Sequence, residues 1–178
     1  MNKKTVIIVD CQKDFISGSM AVPGADEAVC AIVAYLILNQ DEIEEAVLTK
    51  DWHPVNHCSF KEYGGKWPTH CVQNTPGAEI DSRIMNVLKD LNIRYFIFNK
   101  GCLSDVEEYG AFPPGDGNVF PRNEIIVCGI AGDYCVKETV GNLIKKGHNP
   151  KILLKGIASI DDGTIIQNFI KEHNLETV

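Results

Sequence analysis

The chain has 178 residues, of which 44% are hydrophobic, and a formal net charge of −7 from 17 Lys and Arg against 24 Asp and Glu. This composition is typical of a globular protein and excludes intrinsic disorder and collagen-like repeats. Because nucleic-acid and anionic-membrane surfaces need clustered Lys and Arg, the scattered basic residues argue against both and favour a small-molecule partner. No apolar run approaches the ~20 residues that span a bilayer, so we expect a soluble, cytoplasmic protein with one domain over residues 1–178.

Short β-branched runs alternate with amphipathic segments, as in successive βα units. In chain order they predict strands over 5–10, 46–50, 95–99, 125–130 and 151–154, and helices over 25–38, 80–91, 133–146 and 161–173. The unbroken apolar runs in the first and fourth strands favour a parallel sheet that is buried on both faces. We therefore expect a three-layer α/β/α sandwich with a mostly parallel sheet.

Two loop-rich stretches interrupt this alternation. Residues 51–77 contain both tryptophans and three of the five histidines, and residues 110–122 are rich in Pro and Gly at a place where a helix should precede the next strand. The other two histidines, His148 and His173, are expected at the surface. Concentrating Trp and His in one loop is unusual for a plain connection, which makes residues 51–77 a candidate part of a site.

Four ionisable residues follow the ends of predicted strands. In an open parallel sheet the ligand crevice lies beyond the carboxyl ends of the strands. Asp10 closes the first strand, Asp51 follows the second, Lys100 follows the third, and Cys135 comes shortly after the fourth, where a helix begins. We expect an acid, a base and a thiol to meet at this edge of the sheet.

Cys135 is the one cysteine of seven whose predicted setting suggests reactivity. The seven include no Cys-x-x-Cys pair, so we expect reduced thiols, most of them used as small apolar side chains. A helix N-terminus and a nearby Lys100 would stabilise the Cys135 thiolate, and Asp10 could take the thiol proton. The alternative at this stage is a buried Cys with a purely structural role.

A carboxylate and several imidazoles suggest a metal site in the first loop. Asp51, His53, His57 and His70 offer the oxygen and nitrogen donors that a divalent transition metal prefers. The alternative is that these histidines only satisfy backbone groups of the loop. Phe15 and Trp67 could enclose a flat ring beside such a metal, although core packing is the alternative for Phe15.

The order of these motifs resembles that of the isochorismatase-like cysteine hydrolases, and within them the nicotinamidases (pyrazinamidases). The resemblance rests on VDCQKDF at 9–15, AVPG at 21–24, DWHP at 51–54, KWPTHCV at 66–72, KG at 100–101 and CGIAGDYCV at 128–136. It covers nearly the whole chain, and it implies the isochorismatase-like hydrolase fold. It also implies hydrolysis of nicotinamide to nicotinate and ammonia through a thioester, and action on pyrazinamide as well.

The resemblance further implies a role for each matching position. The catalytic triad would be Asp10, Lys100 and Cys135, with the backbone amides of Ala131 and Cys135 as the oxyanion hole. One divalent ion, Zn in the first place and Mn or Fe as possible substitutes, would be bound by Asp51, His53 and His70, with His57 as an additional ligand. A cis peptide bond would join Ile130 and Ala131, and nicotinamide would lie between Phe15 and Trp67.

Two alternatives and one departure accompany this interpretation. The alternatives are another amide hydrolase of the same superfamily, which would keep the triad but lack the metal histidines, and a non-catalytic metal-binding module. The departure lies in residues 110–122, where family members usually place a leucine-containing helix that this short chain lacks. One face of the sheet would then be less covered, and a neighbouring subunit of a homo-oligomer could cover it.

Overall fold

The computed structural model describes residues 3–117 and 123–178. Its five strands are β1 (Lys4–Val9), β2 (Ile43–Asp51), β3 (Arg94–Lys100), β4 (Glu124–Ile130) and β5 (Lys151–Ala158). They form one sheet in the order β3-β2-β1-β4-β5, and every neighbouring pair is parallel. The strand order reverses between β1 and β4, so the crevice at a topological switch point is expected beyond the carboxyl ends of these two strands.

Helices cover both faces of this sheet. They are α1 (Lys13–Ile16), α2 (Ala25–Leu38), α3 (Ser82–Asp90), α4 (Lys137–Lys145) and α5 (Thr164–Glu172), with 3₁₀ turns at Lys61–Tyr63 and Pro76–Ala78. One apolar core includes Ile32 of α2 and Leu88 of α3, and the other includes Leu143 of α4 and Ile166 of α5. The three-layer α/β/α sandwich is therefore confirmed. Within the described ranges, every helix is too short or too polar to span a bilayer.

The predicted elements match the observed ones closely, apart from shifted boundaries and the additional short helix α1. β2 begins at Ile43, before the predicted start at residue 46. β5 extends to Ala158, beyond the predicted end at residue 154, and the predicted helix over 133–146 begins with a π-helical turn, Gly132–Val136, before α4. Gly147 follows α4 in the left-handed conformation, with φ of 85°, and its N–H donates to the Ile144 carbonyl. A glycine is suited to this helix end because it has no Cβ to strain the left-handed backbone.

β3 differs from the strands that are buried on both faces. It is an edge strand, and its Phe96 and Ile97 side chains are 52% and 47% exposed. Residues 110–117 form no helix, and residues 118–122 of the predicted loop lie outside the described residues. Phe96 and Ile97 are adjacent and therefore point to opposite faces of the sheet, so their exposure follows from the edge position of β3. The expected lack of cover on one face, and its cover by a neighbouring subunit, stay predictions.

Gly129 brings the ends of β1 and β4 together beside the switch point. It pairs with Val9 and has φ of 124°, a backbone conformation that L side chains rarely adopt. A Cβ on Gly129 would lie 2.0 Å from the Val9 carbonyl oxygen. Both the backbone angle and the close approach therefore require glycine at this position, just before Asp10 and residues 130–135 leave the ends of β1 and β4.

We predict that Gly129→Ala lowers the free energy of unfolding by about 3 kcal/mol or more, because it combines backbone strain with a clash against β1. Gly24→Ala is the matched control, since Gly24 has φ of 76° and no atom within 4 Å of the added Cβ. The control should lose only about 1 kcal/mol. Urea denaturation measures both values, and equal losses would contradict the role assigned to the clash.

Candidate active site and metal centre

A cleft opens beyond the carboxyl ends of the strands, where the sequence predicted a site. Its volume is about 360 Å³ including the opening to solvent. Asp51 at the end of β2 and Cys135 in the turn after β4 belong to its polar floor, and aromatic side chains form its walls. Lys100 contacts both of these floor residues, and it also contacts Asp10. The lining residues are Phe15, Met20, Asp51, His53, Trp67, His70, Glu107, Tyr109, Ala131, Tyr134, Cys135 and Ile160.

The buried Lys100 ammonium group connects Asp51 and Cys135 of the floor with Asp10, which is buried beside them. Its Nζ lies 2.7 Å from Oδ2 of Asp10 and 2.5 Å from Oδ1 of Asp51, and it donates to Sγ of Cys135 at 3.6 Å. All four residues are at most 6% exposed. The structure thus brings together the four strand-end residues that the sequence singled out.

Burial and the neighbouring charges shift the pKa values of Lys100, Asp51 and Asp10 in different directions. Burial acts to lower the pKa of Lys100, but Asp10 and Asp51 raise it well above its ordinary value, so the amine stays protonated. Burial acts to raise the pKa of Asp51, and the Lys100 charge and His53 outweigh that effect and lower it. For Asp10, burial raises the pKa and outweighs the opposing attraction of Lys100.

The Cys135 thiol differs from the preformed thiolate that the sequence suggested. Burial raises its pKa well above the ordinary value, Asp10 and Asp51 add to the rise, and Lys100 only partly opposes it. Cys135 lies in the π-helical turn Gly132–Val136, after a cis peptide bond between Ile130 and Ala131 that confirms the expected one. The site therefore holds a protonated thiol that needs a neighbouring base.

Asp10 is placed to be that base. Its Oδ1 accepts a hydrogen bond from Thr49 Oγ1 at 2.7 Å. Its Oδ2 is the one buried side-chain oxygen or nitrogen within 3–117 and 123–178 that accepts no well-aligned hydrogen bond, although the Lys100 ammonium lies close to it. A carboxylate oxygen of Asp10 lies within 4.8 Å of Cys135 Sγ. The thiol proton thus has an acceptor within short reach.

Asp51, His53 and His70 form a second cluster that shares Asp51 with the first. Their donor atoms lie within 4.8 Å of one another, with Nε2 of His53 3.5 Å and Nε2 of His70 4.0 Å from Asp51 Oδ2. Nδ1 of His53 faces the Gly101 carbonyl at 3.0 Å, and Nδ1 of His70 faces the Pro68 carbonyl at 2.7 Å. Because each carbonyl accepts the Nδ1 proton, both Nε2 lone pairs are free for a ligand.

These three donors fit a divalent transition metal. One carboxylate and two neutral imidazoles leave further coordination positions open, as sites that also bind a substrate do. With both imidazoles neutral, as metal coordination requires, Lys100 carries one positive charge between two carboxylates, and the buried cluster has a net negative charge that a cation would balance. Burial acts to lower the pKa of His53 but Asp51 raises it, while burial lowers the pKa of His70.

His57 does not join this cluster. Its Nδ1 lies 2.7 Å from Ser59 Oγ and its Nε2 lies 3.0 Å from the Val106 carbonyl oxygen, so both ring nitrogens have protein partners. Its ring is stacked on the His53 ring, with 4.0 Å between the centroids. The arrangement does not support the predicted coordination by His57, and we leave His57 out of the ligand set.

The segment after β1 is hydrogen-bonded to the two stretches of chain that carry the candidate metal ligands. The buried Gln12 side chain donates to the Asp51 carbonyl and accepts from the Asp51 N–H, both at 2.8 Å. Asp14 Oδ2 accepts the N–H of Cys71, the residue after His70, at 2.8 Å. Gln12 and Asp14 of the VDCQKDF segment thus fix the backbone of Asp51 and the backbone next to His70.

Phe15 and Trp67 both line the cleft, as expected, but they belong to a larger aromatic wall. Trp67 Nε1 donates to Tyr109 Oη at 3.0 Å, and the Trp67 and Tyr134 rings meet edge to face with centroids 5.0 Å apart. Phe15 lies against His70, with 5.4 Å between the ring centroids. The cleft therefore offers apolar ring surfaces above a polar floor, which suits a small aromatic ligand.

Several site residues were missed by the sequence analysis, although a signal existed for most of them. Glu107 and Tyr109 follow Lys100 in the loop beyond a strand end, and Tyr134 directly precedes Cys135. The rule that led to Lys100 and Cys135 could have been extended to these neighbours. No local pattern reveals that Thr49 reaches Asp10, because that contact joins two different strands.

Comparison with known proteins identifies related chains with the same overall structure. No family model matches the sequence. The nicotinamidase of Saccharomyces cerevisiae is 31% identical over 98% of this chain and 99% of its own length. The nicotinamidase/pyrazinamidase of Mycobacterium tuberculosis is 32% identical over 92% of this chain and 90% of its own. The crystal structure of the pyrazinamidase of Pyrococcus horikoshii in complex with zinc matches with a TM-score of 0.80 and 30% identity, over 99% of this chain and 98% of the other.

We predict that His70→Ala weakens binding of a divalent ion by more than about a hundredfold, because it removes one of three donors. His173→Ala is the control, since this exposed histidine caps the end of α5 and is not among the residues that line the cleft. Equilibrium dialysis against Zn²⁺ measures both affinities. Unchanged affinity in His70→Ala would show that the ion binds elsewhere.

Proposed function

Because the chain belongs to the nicotinamidase/pyrazinamidase family, we propose that it hydrolyses nicotinamide to nicotinate and ammonia as a metal-assisted cysteine amidohydrolase. The observation that carries the proposal is the contact of one buried ammonium group, Lys100 Nζ, with Asp10, Asp51 and Cys135 at the floor of an aromatic cleft. A thiol, an adjacent base and an aromatic binding wall are the parts that acyl transfer from a flat amide requires.

The first half of the proposed reaction transfers the acyl group to Cys135. Oδ2 of Asp10 accepts the thiol proton, and the raised pKa of Asp10 makes it a better base than an ordinary carboxylate. The thiolate sulfur attacks the carboxamide carbon, and the C=O electron pair moves onto the oxygen. When that pair returns, the C–N bond breaks, and the leaving nitrogen takes the proton from Asp10 and departs as ammonia. A thioester remains on Cys135.

Water completes the reaction. Asp10 accepts a proton from the water molecule as its oxygen attacks the thioester carbon, and the C–S bond then breaks to release nicotinate. Asp10 returns the proton to the sulfur, which restores the thiol. Lys100 stays protonated throughout and stabilises the negative charge that moves between Asp10 and Cys135. The backbone N–H groups of Ala131 and Cys135 are proposed to stabilise the oxyanion in both halves.

Asp51, His53 and His70 would hold one divalent metal ion. We propose Zn²⁺, since these donors suit it and the structurally similar pyrazinamidase of Pyrococcus horikoshii was crystallised with zinc, although Mn²⁺ and Fe²⁺ accept the same donors. When bound, the ion supplies an electrophilic position for the pyridine nitrogen, which orients the ring rather than creating the nucleophile.

Phe15 and Trp67 are proposed to bind the two faces of the substrate ring. Both line the cleft that also contains Cys135 and His70. Because an aromatic ring makes larger apolar contact in this cleft than an alkyl chain does, nicotinamide and pyrazinamide should be better substrates than a non-aromatic amide.

We predict that Cys135→Ala reduces ammonia release from nicotinamide by at least about 10⁴-fold, because it removes the nucleophile. Metal content should stay at the wild-type value, since no thiol belongs to the Asp51, His53 and His70 set. Cys30→Ala, at an exposed helical cysteine, is the control and should retain full activity. Near-wild-type turnover by Cys135→Ala would exclude the thioester route.

We also predict that chelation of the metal selectively removes activity toward substrates with a ring nitrogen. Initial rates are measured for nicotinamide, pyrazinamide and benzamide, which lacks the ring nitrogen, before and after treatment with a chelator and after Zn²⁺ is restored. Nicotinamide and pyrazinamide should lose and then regain most of their rate, whereas benzamide, a poor substrate throughout, should change little. Equal loss for all three amides would argue against the ring-orienting role.

A further inference from the structure

His57 lies against the candidate metal ligands without joining them. It is completely buried, and its ring covers one face of His53 with 29° between the ring planes. The edge of His53 packs against Gly101, where an added Cβ would lie 2.4 Å from Cε1 of His53. His53 is thus confined by His57 and by Gly101.

The hydrogen bonds of His57 define which of its nitrogens carries the proton. Nδ1 faces the N–H of Ser59 at 3.2 Å as well as the Ser59 hydroxyl at 2.7 Å. A backbone N–H can only donate, so Nδ1 must be the acceptor, and the proton of a neutral imidazole must then lie on Nε2. Nε2 faces the Val106 carbonyl, which can only accept. Every hydrogen-bonding position of the ring is therefore matched, and no lone pair is left for a metal.

The hydrogen bond to Val106 also connects His57 with the loop of residues 102–108, which follows Lys100. Cys58, beside His57, donates its N–H to the Ser104 carbonyl at 2.7 Å, so two bonds tie the loop of residues 102–108 to the turn that contains His57. Within that loop, the Glu108 side chain accepts the Gly101 N–H at 2.8 Å, and the Glu108 carbonyl accepts from Lys100 at 3.4 Å. His57 thus lies between the metal histidine His53 and the loop that contacts Lys100.

We propose that His57 is a positioning residue, which fixes the ring of His53 and the 102–108 loop, and that it is not a metal ligand. This assignment rests on the proposed metal site of Asp51, His53 and His70. Partners that orient a ligating histidine typically contribute about tenfold to a hundredfold to metal affinity without changing the ligands themselves. A positioning role and a coordinating role therefore predict different spectra for the same variant.

The test uses Co²⁺ bound to the full chain in place of Zn²⁺, since the visible absorption of Co²⁺ reports its ligands. In His57→Phe an aromatic ring stays beside His53, but the three hydrogen bonds to Ser59 and Val106 that hold this ring in place are lost. We expect one Co²⁺ per chain with wild-type band positions and intensities, an affinity about tenfold to a hundredfold lower, and faster amide hydrogen exchange in residues 102–108. His70→Ala is the reference variant, which loses a ligand and should change or lose the bands.

His57→Gln is the second variant, in case His57→Phe does not fold. Its amide can donate to the Val106 carbonyl and accept from Ser59, so exchange in residues 102–108 should stay closer to the wild-type rate than in His57→Phe. Bands altered as in His70→Ala would show that His57 is a ligand and overturn the proposal. Wild-type affinity together with wild-type exchange in both variants would also overturn it, because His57 would then position nothing.

The outcome is separable from that of the proposed reaction, because Co²⁺ binding and hydrogen exchange need no turnover. A wild-type chain that gave the expected spectra but released no ammonia from nicotinamide would remove the proposed function and leave the assignment of His57 intact. A wild-type chain that bound no Co²⁺ would remove the metal site, and the assignment of His57 with it.

Discussion

The ion contacts of Lys100 are the interaction on which the rest of the site depends. Its ammonium group is buried at the end of β3, and burying a charge is costly unless opposite charges and hydrogen bonds compensate. Asp10 after β1 and Asp51 at the end of β2 provide that compensation, at 2.7 Å and 2.5 Å. Neither carboxylate could be buried so deeply without the ammonium, so the three residues stabilise one another.

This sharing of one cation connects two kinds of chemistry. Asp10 faces Cys135 and can accept its proton, whereas Asp51 faces His53 and His70 and completes the candidate metal site. The parallel sheet makes the meeting possible, because the carboxyl ends of β1, β2, β3 and β4 lie at one edge. Gly129 allows β1 and β4 to approach closely at that edge, and Gln12 and Asp14 hold the metal-binding loop against it.

Much of this arrangement could be predicted from the sequence. The strands follow from short β-branched runs, and the convergence of Asp10, Asp51, Lys100 and Cys135 follows from their positions after strand ends. The family relation follows from the order of the motifs. The residue types and their positions after predicted strand ends were therefore sufficient to predict which residues meet at the base of the cleft.

The parts that escaped prediction depend on contacts between distant segments. Apolar residues in β3 look like those of a buried strand, but the exposure of Phe96 depends on which elements cover the sheet edge. The pattern that makes His57 a plausible ligand gives no sign that Val106, 49 residues away, occupies its Nε2. Likewise, a helix start favours a thiolate at Cys135, whereas the surrounding burial and carboxylates raise its pKa. The exposure of Phe96, the partner of His57 and the pKa of Cys135 are all set by residues that lie far away in the sequence, which a local pattern does not include.

Turnover of nicotinamide in the presence of hydroxylamine tests the central claim, a thioester on Cys135, most directly. An acyl-enzyme can be attacked by hydroxylamine as well as by water, so the two nucleophiles compete for the same intermediate. The account predicts nicotinohydroxamate in a ratio to nicotinate that rises in proportion to the hydroxylamine concentration, while ammonia release does not slow. Nicotinate as the sole acyl product at every hydroxylamine concentration, with ammonia still released, would contradict it.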